Sequence, residues 1–371
     1  MRFLFLSCNT GEGHNSCARA LSEYFSSRGD FCEIRDAISF WSKNNSKIIS
    51  KGHVFFYRNL PKLFGVAYRY EENHLPDDGD ASLIYELLSN GSKKLAKYIK
   101  QEDFDAVICV HVFSAMMMKQ VKYKRGVDVP TFFVATDYTG SPGIGESDCT
   151  KYFIPHIDLT DEFASLGIMR DRIIPSGIPI SQNFYIRSEK TDVKKNLCLS
   201  PNERILLLTC GSMGCGPLKK LAMKLPTMLP KDVRLIVICG NNKRLYKSLS
   251  KNVIYDNVTI VGYTSRMQLY MDAAELILTK PGGLSSTEGA TKHKPLVFIN
   301  AVPGCETRNL DFFVSHGFGA TGNDLTELCD TFIDLLDSRE KLEKMSKRVA
   351  EDFDKNAAEI IYNDIEYTLQ S

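Results

Sequence analysis

The sequence predicts an α/β protein of two Rossmann-like domains that face a cleft, with the C-terminal helix crossing back to the first domain. Short apolar runs alternate with segments of helical periodicity, which is typical of parallel sheets covered by helices. The first apolar run of each half leads into a glycine-rich turn, at 11–14 and at 211–216. At 371 residues the chain is long enough for two cores. We expect the first domain to span 1–178, joined by a helix at about 355–371, and the second to span 179–354.

Composition excludes several classes of protein. The net charge of +1 gives no sign of a nucleic-acid partner. No stretch approaches the ~18 consecutive apolar residues that span a bilayer. The apolar N-terminal run lacks a cleavage site and is interpreted as a first strand. Eleven cysteines include no C-x-x-C pair, so neither a zinc site nor a redox pair is indicated, and reduced cysteines in a cytoplasmic protein are expected.

The first unit of the chain runs from a strand (3–6) through the glycine turn into a helix that starts near Asn15. The dinucleotide fingerprint G-x-G-x-x-G is broken at Ser16, which argues against NAD binding. His14 stands at the helix start, where the positive end of the dipole favours a neutral imidazole that can accept a proton. The alternative for a single histidine is a structural role.

Residues 42–70 mix lysines and arginines with large aromatics and contain no acid. This pattern suits an element that lies on an anionic membrane surface, with Phe55, Phe56 and Arg58 among its contacts. The alternative is a helical hairpin whose aromatics are core and whose lysines are solvated.

Polar residues follow two later strands of the first domain. The strand at 106–110 ends at His111, and the strand at 131–135 ends at Thr136, Asp137 and Tyr138. Parallel strands place such residues at the ligand-binding edge of the sheet. The glycine-rich loop at 139–147 is long enough to form part of an acceptor site. Residues 176–180 mark the boundary to the second domain.

The second domain repeats the alternation. Its glycine turn lacks the lysine and serine of a P-loop, so that type of ATP site is not expected. Strands are predicted at 205–209, 234–239, 258–261, 276–278 and 296–299, and the last helix is predicted from 339 to the C-terminus. After the strand at 276–278, Pro281-Gly282-Gly283 predicts a turn that exposes backbone amides. Ser285 and Ser286 are predicted to cap the next helix, with Glu288 completing a capping box. The alternative is a tight connection with no ligand.

Three segments carry a resemblance to a known family. G-E-G-H-N-S-C-A-R-A-L, T-K-P-G-G-L-S-S-T-E and P-G-C-E-T-R-N resemble the monogalactosyldiacylglycerol synthase and processive diacylglycerol glucosyltransferase group. That group consists of inverting glycosyltransferases of family 28 with the glycosyltransferase-B architecture. A-T-D-Y and S-G-I-P match as well, so the likeness covers most of the chain.

The resemblance implies a role for each matching residue. His14 would be the base that deprotonates the acceptor, with Asp137 as the competing candidate. Glu288 would bind the ribose, Gly262 and Tyr263 the uracil, and Glu306 and Asn309 the sugar. The implied donor-binding residues are Gly13, Gly211, Ser212, Met213, Gly214, Gly262, Tyr263, Lys280, Gly282, Gly283, Ser285, Glu288, Pro303, Gly304, Glu306 and Asn309. The expected acceptor or membrane residues are His111, Tyr138, Phe55, Phe56 and Arg58.

The expected activity is inverting transfer of a hexose from a UDP-sugar to a membrane lipid, diacylglycerol. No D-x-D pair stands at a strand end, so no metal or other cofactor is expected. The expected location is the inner face of the cell membrane, with peripheral attachment. The segment after Asp137 lacks the histidine and tryptophan of plant-type members, so the acceptor stays more open than the donor. Alternatives are N-acetylglucosamine transfer to a polyprenyl diphosphate, a UDP-sugar 2-epimerase, and a non-catalytic sugar-nucleotide binder.

Overall fold

The computed structural model describes residues 1–8, 12–41, 83–211, 217–299 and 301–371. These residues divide into two compact units. The first comprises Met1–Gln182, Val302–Cys305 and Asn356–Ser371, and the second comprises Asn183–Ala301 and Glu306–Lys355. Each unit is built on one parallel sheet with helices, so the predicted α/β class with two Rossmann-like domains is confirmed.

The strands are short apolar runs, and most are buried along their length, as expected for parallel sheets covered on both faces. In the described residues they are β1 (Arg2–Ser7), β2 (Phe31–Asp36), β3 (Ala106–Cys109), β4 (Thr131–Val134), β5 (Lys151–Ile154), β6 (Ile173–Pro175), β7 (Arg204–Thr209), β8 (Val233–Ile238), β9 (Val258–Val261), β10 (Ala274–Thr279), β11 (Leu296–Phe298) and β12 (Gly319–Thr321).

The helices connect these strands and bury one apolar side each. Over the same residues they are α1 (Glu12–Ser27), α2 (Leu83–Glu102), α3 (Val112–Arg125), α4 (Thr160–Ser165), α5 (Lys190–Asn196), α6 (Leu218–Lys224), α7 (Lys243–Asn252), α8 (Met267–Ala273), α9 (Gly283–Thr291), α10 (Cys305–Ser315), α11 (Leu325–Asp337), α12 (Arg339–Asp352) and α13 (Ala357–Gln370). Within the described ranges, none of them combines the length and the apolar character needed to cross a bilayer.

Strand order creates one switch point in each sheet. The first sheet runs β2-β1-β3-β4-β5-β6, so the chain reverses direction across the sheet between β1 and β3. The second runs β12-β11-β10-β7-β8-β9 and reverses between β7 and β10. All ladders are parallel, with Phe5 facing both Ile34 and Ile108 in register. Open α/β sheets bind ligands outside the carboxyl ends of the strands at such points.

The C-terminal helix belongs to the core of the first unit. Phe25 of α1 packs edge-on against Phe3 and Phe5 of β1, with ring centroids 4.9 and 5.4 Å away. Tyr362 of α13 contacts Phe25 from another side at 4.8 Å. Aromatic pairs at these distances and angles add packing energy beyond area burial. Helix α13 is therefore fixed to α1.

The structure differs from the sequence predictions at two elements. The single helix predicted from 339 to the C-terminus is two helices, α12 and α13. Helix α12 ends at Asp352, and the side chain of Asn356 caps the start of α13. Strand β12 was not predicted. It has only three residues, and Gly319, a poor strand former, opens it.

Candidate functional site

Three predicted polar residues follow neighbouring strands of the first sheet. His14 lies in the first turn of α1 after β1, His111 follows β3, and Asp137 follows β4. Because β1, β3 and β4 are adjacent and parallel, their carboxyl ends lie side by side at the switch point. The first unit therefore gathers these residues at the edge where the sequence placed them.

The imidazole of His14 is held by two oxygen atoms. Its Nδ1 atom lies 2.9 Å from the carbonyl oxygen of Val110 and 2.9 Å from the hydroxyl oxygen of Thr136. A carbonyl oxygen can only accept, so we assign the proton of the neutral ring to Nδ1, which donates to Val110. The Nε2 atom then carries the lone pair. A histidine in this tautomer can accept a proton through Nε2.

Burial keeps His14 neutral. Desolvation lowers the pKa of the His14 imidazole below its ordinary value, and the bond to the Val110 carbonyl offsets this only in part. The neighbouring His111 ring meets it edge-on, with centroids 4.6 Å apart. The Nδ1 atom of His111 accepts the backbone N–H of Phe113 at 3.1 Å and thereby caps α3. His111 thus anchors a helix and flanks the His14 ring.

The remaining predicted residues of this edge differ in exposure. Gly13 is exposed in the first turn of α1, and Asp137 is half-buried. Tyr138 is 1 % exposed and ranks among the large side chains of the core. The prediction that Tyr138 faces an acceptor is therefore wrong for this structure, because its ring offers almost no surface. Asp137 is half-buried and Tyr138 buried in the segment that follows β4.

The switch point of the second sheet brings two turns together. Gly211 follows β7 and has a left-handed backbone (φ 64°), and a Cβ atom there would lie 3.4 Å from Cε of Lys280, which follows β10. Any side chain at Gly211 would be strained by this left-handed backbone, while its Cβ atom would meet Lys280 at an ordinary van der Waals distance. The backbone conformation therefore favours glycine here, and the two turns lie within contact distance of each other.

Helix α9 begins earlier than the sequence predicts. Gly282 is its N-cap, so Ser285 and Ser286 lie inside the first turn and Glu288 lies in the second. The predicted capping box is wrong, since no side chain of the described residues caps this helix; instead Ser285 Oγ donates to the Gly282 carbonyl at 3.2 Å. The α9 N-terminal amides remain uncapped by side chains, and an anion is favoured at such a terminus.

Glu288 is freed from capping and has an unusual environment. Its side chain is half-buried, and among the described residues its carboxyl has no hydrogen-bond or ion-pair partner. Desolvation raises the pKa of the Glu288 carboxyl from 4.5 to about 8. Perturbed carboxyls of this kind cluster at functional sites. Hydroxyl groups of a ligand would supply the missing donors.

A partly buried ion pair joins two of the predicted donor residues. Lys280 Nζ lies 2.6 Å from Glu306 Oε1, with the side chains 18 % and 11 % exposed. Asn309, one turn further along α10, has no exposed surface and donates from Nδ2 to the Pro281 carbonyl at 3.0 Å. A direct contact of Asn309 with a sugar does not fit this burial. Asn309 instead fixes the Pro281 turn.

Three buried hydroxyls lie near this edge, and for none of them does the sequence predict a place in a ligand site. Thr209 and Thr279 end the neighbouring strands β7 and β10, and Ser286 lies in α9. All three are buried, and their oxygen atoms have no hydrogen-bond partner within the described chain. Buried hydroxyls normally find partners, so such sites favour ordered water or a ligand. A threonine as the last residue of a central strand was the available sequence signal.

The remaining predicted residues either follow other strands and turns or lie outside the described ranges. Gly262 and Tyr263 follow β9, and Tyr263 is 69 % exposed. Pro303 and Gly304 fall in the short segment that belongs to the first unit. Residues outside the described ranges are Ser212, Met213, Gly214, Phe55, Phe56 and Arg58, together with the rest of the basic–aromatic segment 42–70.

Comparisons with known proteins agree across the chain. The monogalactosyldiacylglycerol (MGDG) synthase model matches residues 14–180, and the glycosyltransferase family 28 C-terminal domain model matches residues 205–361. Processive diacylglycerol β-glucosyltransferase of Staphylococcus saprophyticus is 29% identical over 79% of this chain and 74% of its own. The enzyme of that name from Bacillus subtilis is 26% identical over 98% of this chain and 94% of its own.

A solved structure agrees on the fold. MurG of Acinetobacter baumannii has a TM-score of 0.64 and 15% identity and covers 99% of both chains. Its two-domain architecture is the glycosyltransferase-B type that the sequence resemblance implies. Taken with the family models that match its two halves, the chain belongs to the monogalactosyldiacylglycerol synthase and processive diacylglycerol glucosyltransferase group of glycosyltransferase family 28.

Proposed function

We propose that this chain is an inverting glycosyltransferase that moves a hexose from a UDP-sugar to diacylglycerol. Its relatives from Staphylococcus saprophyticus and Bacillus subtilis are named diacylglycerol glucosyltransferases. The observation in this chain that carries the proposal is Glu288, a half-buried carboxyl without a partner in the described residues, on the helix that follows β10. The two ribose hydroxyls of a UDP-sugar are the donors that this carboxyl lacks.

Donor binding falls to the second unit. The α9 N-terminus presents amides at the β7–β10 switch point, where they would favour a diphosphate. Gly262 and the exposed Tyr263 would contact the uracil. As the bond to the sugar breaks, negative charge grows on the leaving UDP. Preorganised amides and the cationic Lys280 would stabilise that charge, which is electrostatic catalysis.

Acceptor activation falls to His14. The acceptor hydroxyl oxygen forms a bond to the anomeric carbon on the face opposite UDP, the carbon–oxygen bond to UDP breaks, and Nε2 of His14 takes the hydroxyl proton. A neutral imidazole is required, and burial lowers the pKa of His14 accordingly. Val110 and Thr136 would hold the ring in the required tautomer.

The lipid acceptor implies work at a membrane surface. We expect peripheral attachment to the inner face of the cell membrane, with the basic–aromatic segment 42–70 as a contact with anionic lipid. No nucleic-acid partner enters this proposal, since the net charge is +1.

The decisive experiment supplies labelled UDP-glucose, UDP-galactose and UDP-N-acetylglucosamine to the full-length protein with diacylglycerol in nonionic detergent micelles. We expect a glycolipid with inverted anomeric configuration from one of the hexose donors, and strongly reduced donor binding in Glu288→Ala. A sugar product formed without acceptor would instead identify a 2-epimerase. Transfer only to a polyprenyl diphosphate would overturn the diacylglycerol assignment. Unchanged UDP affinity in Glu288→Ala would overturn the donor site.

A further inference from the structure

The second unit carries a long stretch that is almost free of acids. Between Glu203 and Asp256 the only acidic residue is Asp232, which is paired with Arg204. The same stretch holds helices α6 and α7, neither of which contains an acid. This charge distribution differs from that of an ordinary solvated helix, which carries both acidic and basic residues. Helix α12 of the same unit alternates basic with acidic residues.

Helices α6 and α7 lie next to each other and point their cations outward. They contact one another and bury Leu218, Leu221 and Leu249 in one core. We define the basic face as the exposed cations of these two helices: Lys219, Lys220, Lys243, Arg244, Lys247 and Lys251. Among the described residues, none of these six side chains has an ion-pair or hydrogen-bond partner. Their charges are therefore fully available to an external anion.

Exposed apolar side chains lie on α7 and directly after its end. Ile254, two residues beyond the end of α7, is 85 % exposed, and Tyr255 beside it is also exposed. Tyr246 on α7 is exposed as well. A large aliphatic residue and two rings next to unpaired cations match the composition of elements that lie in the headgroup region of a membrane.

We propose that the basic face, with Ile254 and Tyr255, is a docking surface for anionic lipid on the second unit. The cations would meet lipid phosphates while Ile254 and Tyr255 enter the headgroup boundary. The choice of a membrane over another polyanion rests on the proposed function, because a diacylglycerol acceptor lies in a membrane. The surface is made of other residues than the sequence-predicted contact at 42–70 and is defined wholly by described residues.

The test is flotation of the full-length protein with phosphatidylcholine vesicles that do or do not contain phosphatidylglycerol. We expect preferential binding to the anionic vesicles that weakens as salt rises. Lys243→Glu with Lys247→Glu should weaken that binding at least about tenfold, since each cation near an anionic surface contributes measurably. The matched control is Lys344→Glu with Lys347→Glu on α12, which makes the same charge change at exposed positions and should leave binding within about twofold. Ile254→Ser should weaken binding without any change of charge.

Two further measurements separate this inference from the proposed function. Transfer to diacylglycerol in nonionic micelles should be the same in the wild type and in all these variants, because no charged surface is present. A wild type without transfer in micelles but with charge-dependent flotation would defeat the proposed function alone. Equal flotation of the two double variants would defeat the docking surface. The docking surface would also be defeated if the Lys243→Glu, Lys247→Glu variant lost binding to a single-stranded oligonucleotide but not to the vesicles. That result would identify a different polyanion as the partner.

Discussion

The Nδ1 atom of His14 lies 2.9 Å from the hydroxyl oxygen of Thr136 and at the same distance from the carbonyl oxygen of Val110. These two oxygens come from the ends of β4 and β3, while His14 follows β1. One imidazole thus ties together three neighbouring strand ends, and its tautomer is set by the backbone. The first two predictions depend on this arrangement.

His14→Ala should lower turnover by about 10²–10⁴, the usual worth of a general base. UDP binding should change little, because Glu288, Lys280 and the α9 N-terminus, which make the proposed ribose and diphosphate contacts, lie in the second unit. Rate assays in micelles and calorimetric UDP titration measure the two quantities. His156→Ala is the control, because His156 follows β5 instead of β1, β3 or β4, and its Nδ1 atom accepts the backbone N–H of Asp158. Near-normal turnover in His14→Ala would transfer the base role to Asp137.

The pH profile should report the His14 environment. Burial lowers the pKa of His14 below 6.5, and only the neutral ring acts as a base, so the acidic limb of kcat should lie below pH 6.5. Thr136→Val removes one acceptor from the Nδ1 proton. That bond favours the imidazolium more than the neutral ring, so its loss should lower the pKa further and shift the limb to still lower pH. Plateau turnover should fall because the ring is less well held.

Thr136→Ser is the control for this second prediction, since it keeps the hydroxyl and should restore both the limb and the plateau. A lower plateau with an unmoved limb would mean that Thr136 acts only through packing. A limb at or above pH 6.5 in the wild type would place the essential base elsewhere.

Much of this arrangement was predictable from strand-end chemistry. Gly13, His14, His111 and Asp137 were assigned to the sheet edge because each follows an apolar run, and parallel topology brings such positions together. The contact of Thr136 with His14 was not predictable, since it depends on the register of β1, β3 and β4, which a single sequence does not encode locally. The prediction that Tyr138 faces an acceptor is wrong for a related reason, because local polarity does not tell which residues after a strand are buried.

The predicted start of α9 at Ser285 and Ser286 is wrong for another reason, since the helix begins after Gly282. Ser285, Ser286 and Glu288 have the spacing of a capping box, and local preference favours a cap at serine. Tertiary packing begins the helix earlier and buries Ser286 completely. Asn309 is expected from the resemblance to address the sugar, but it is buried and donates to the Pro281 carbonyl, which gives it a positioning role.

Glu288→Gln should stabilise the protein in a pH-dependent way. The folded-state pKa of Glu288 is raised to about 8 from 4.5, so between these pH values the folded state holds a proton that the unfolded state has lost. This raised carboxyl pKa makes the wild type less stable as pH rises through that window. Glutamine does not titrate, and the variant should therefore gain melting temperature over the wild type as pH increases from 4.5 to 8.

Thermal unfolding at pH 4, 6 and 8 measures the difference, and other titrating groups cancel because both proteins share them. At pH 4 the two melting temperatures should agree closely, since the carboxyl is protonated in both states. A constant offset at all three values would show that the Glu288 carboxyl is well solvated. At pH 8, where the Glu288 carboxyl ionises, UDP should protect the wild type more than Glu288→Gln, because a carboxylate accepts stronger hydrogen bonds from the ribose hydroxyls than a neutral amide does.

The Lys280–Glu306 pair should show strong coupling in a double-mutant cycle. Both side chains are largely buried, so Lys280→Met or Glu306→Gln alone leaves a desolvated polar partner and should cost about 2 kcal/mol of unfolding free energy. The double variant should lose clearly less than the sum of the two. Urea unfolding measures the cycle.

The exposed pair Lys341–Asp334 is the matched control, with an expected coupling below about 1 kcal/mol. Single losses at Lys280 and Glu306 that add within about 0.5 kcal/mol would show that the pair is energetically independent. Because Lys280 also lies against Gly211, Lys280→Met should weaken UDP binding, whereas the control variants should not.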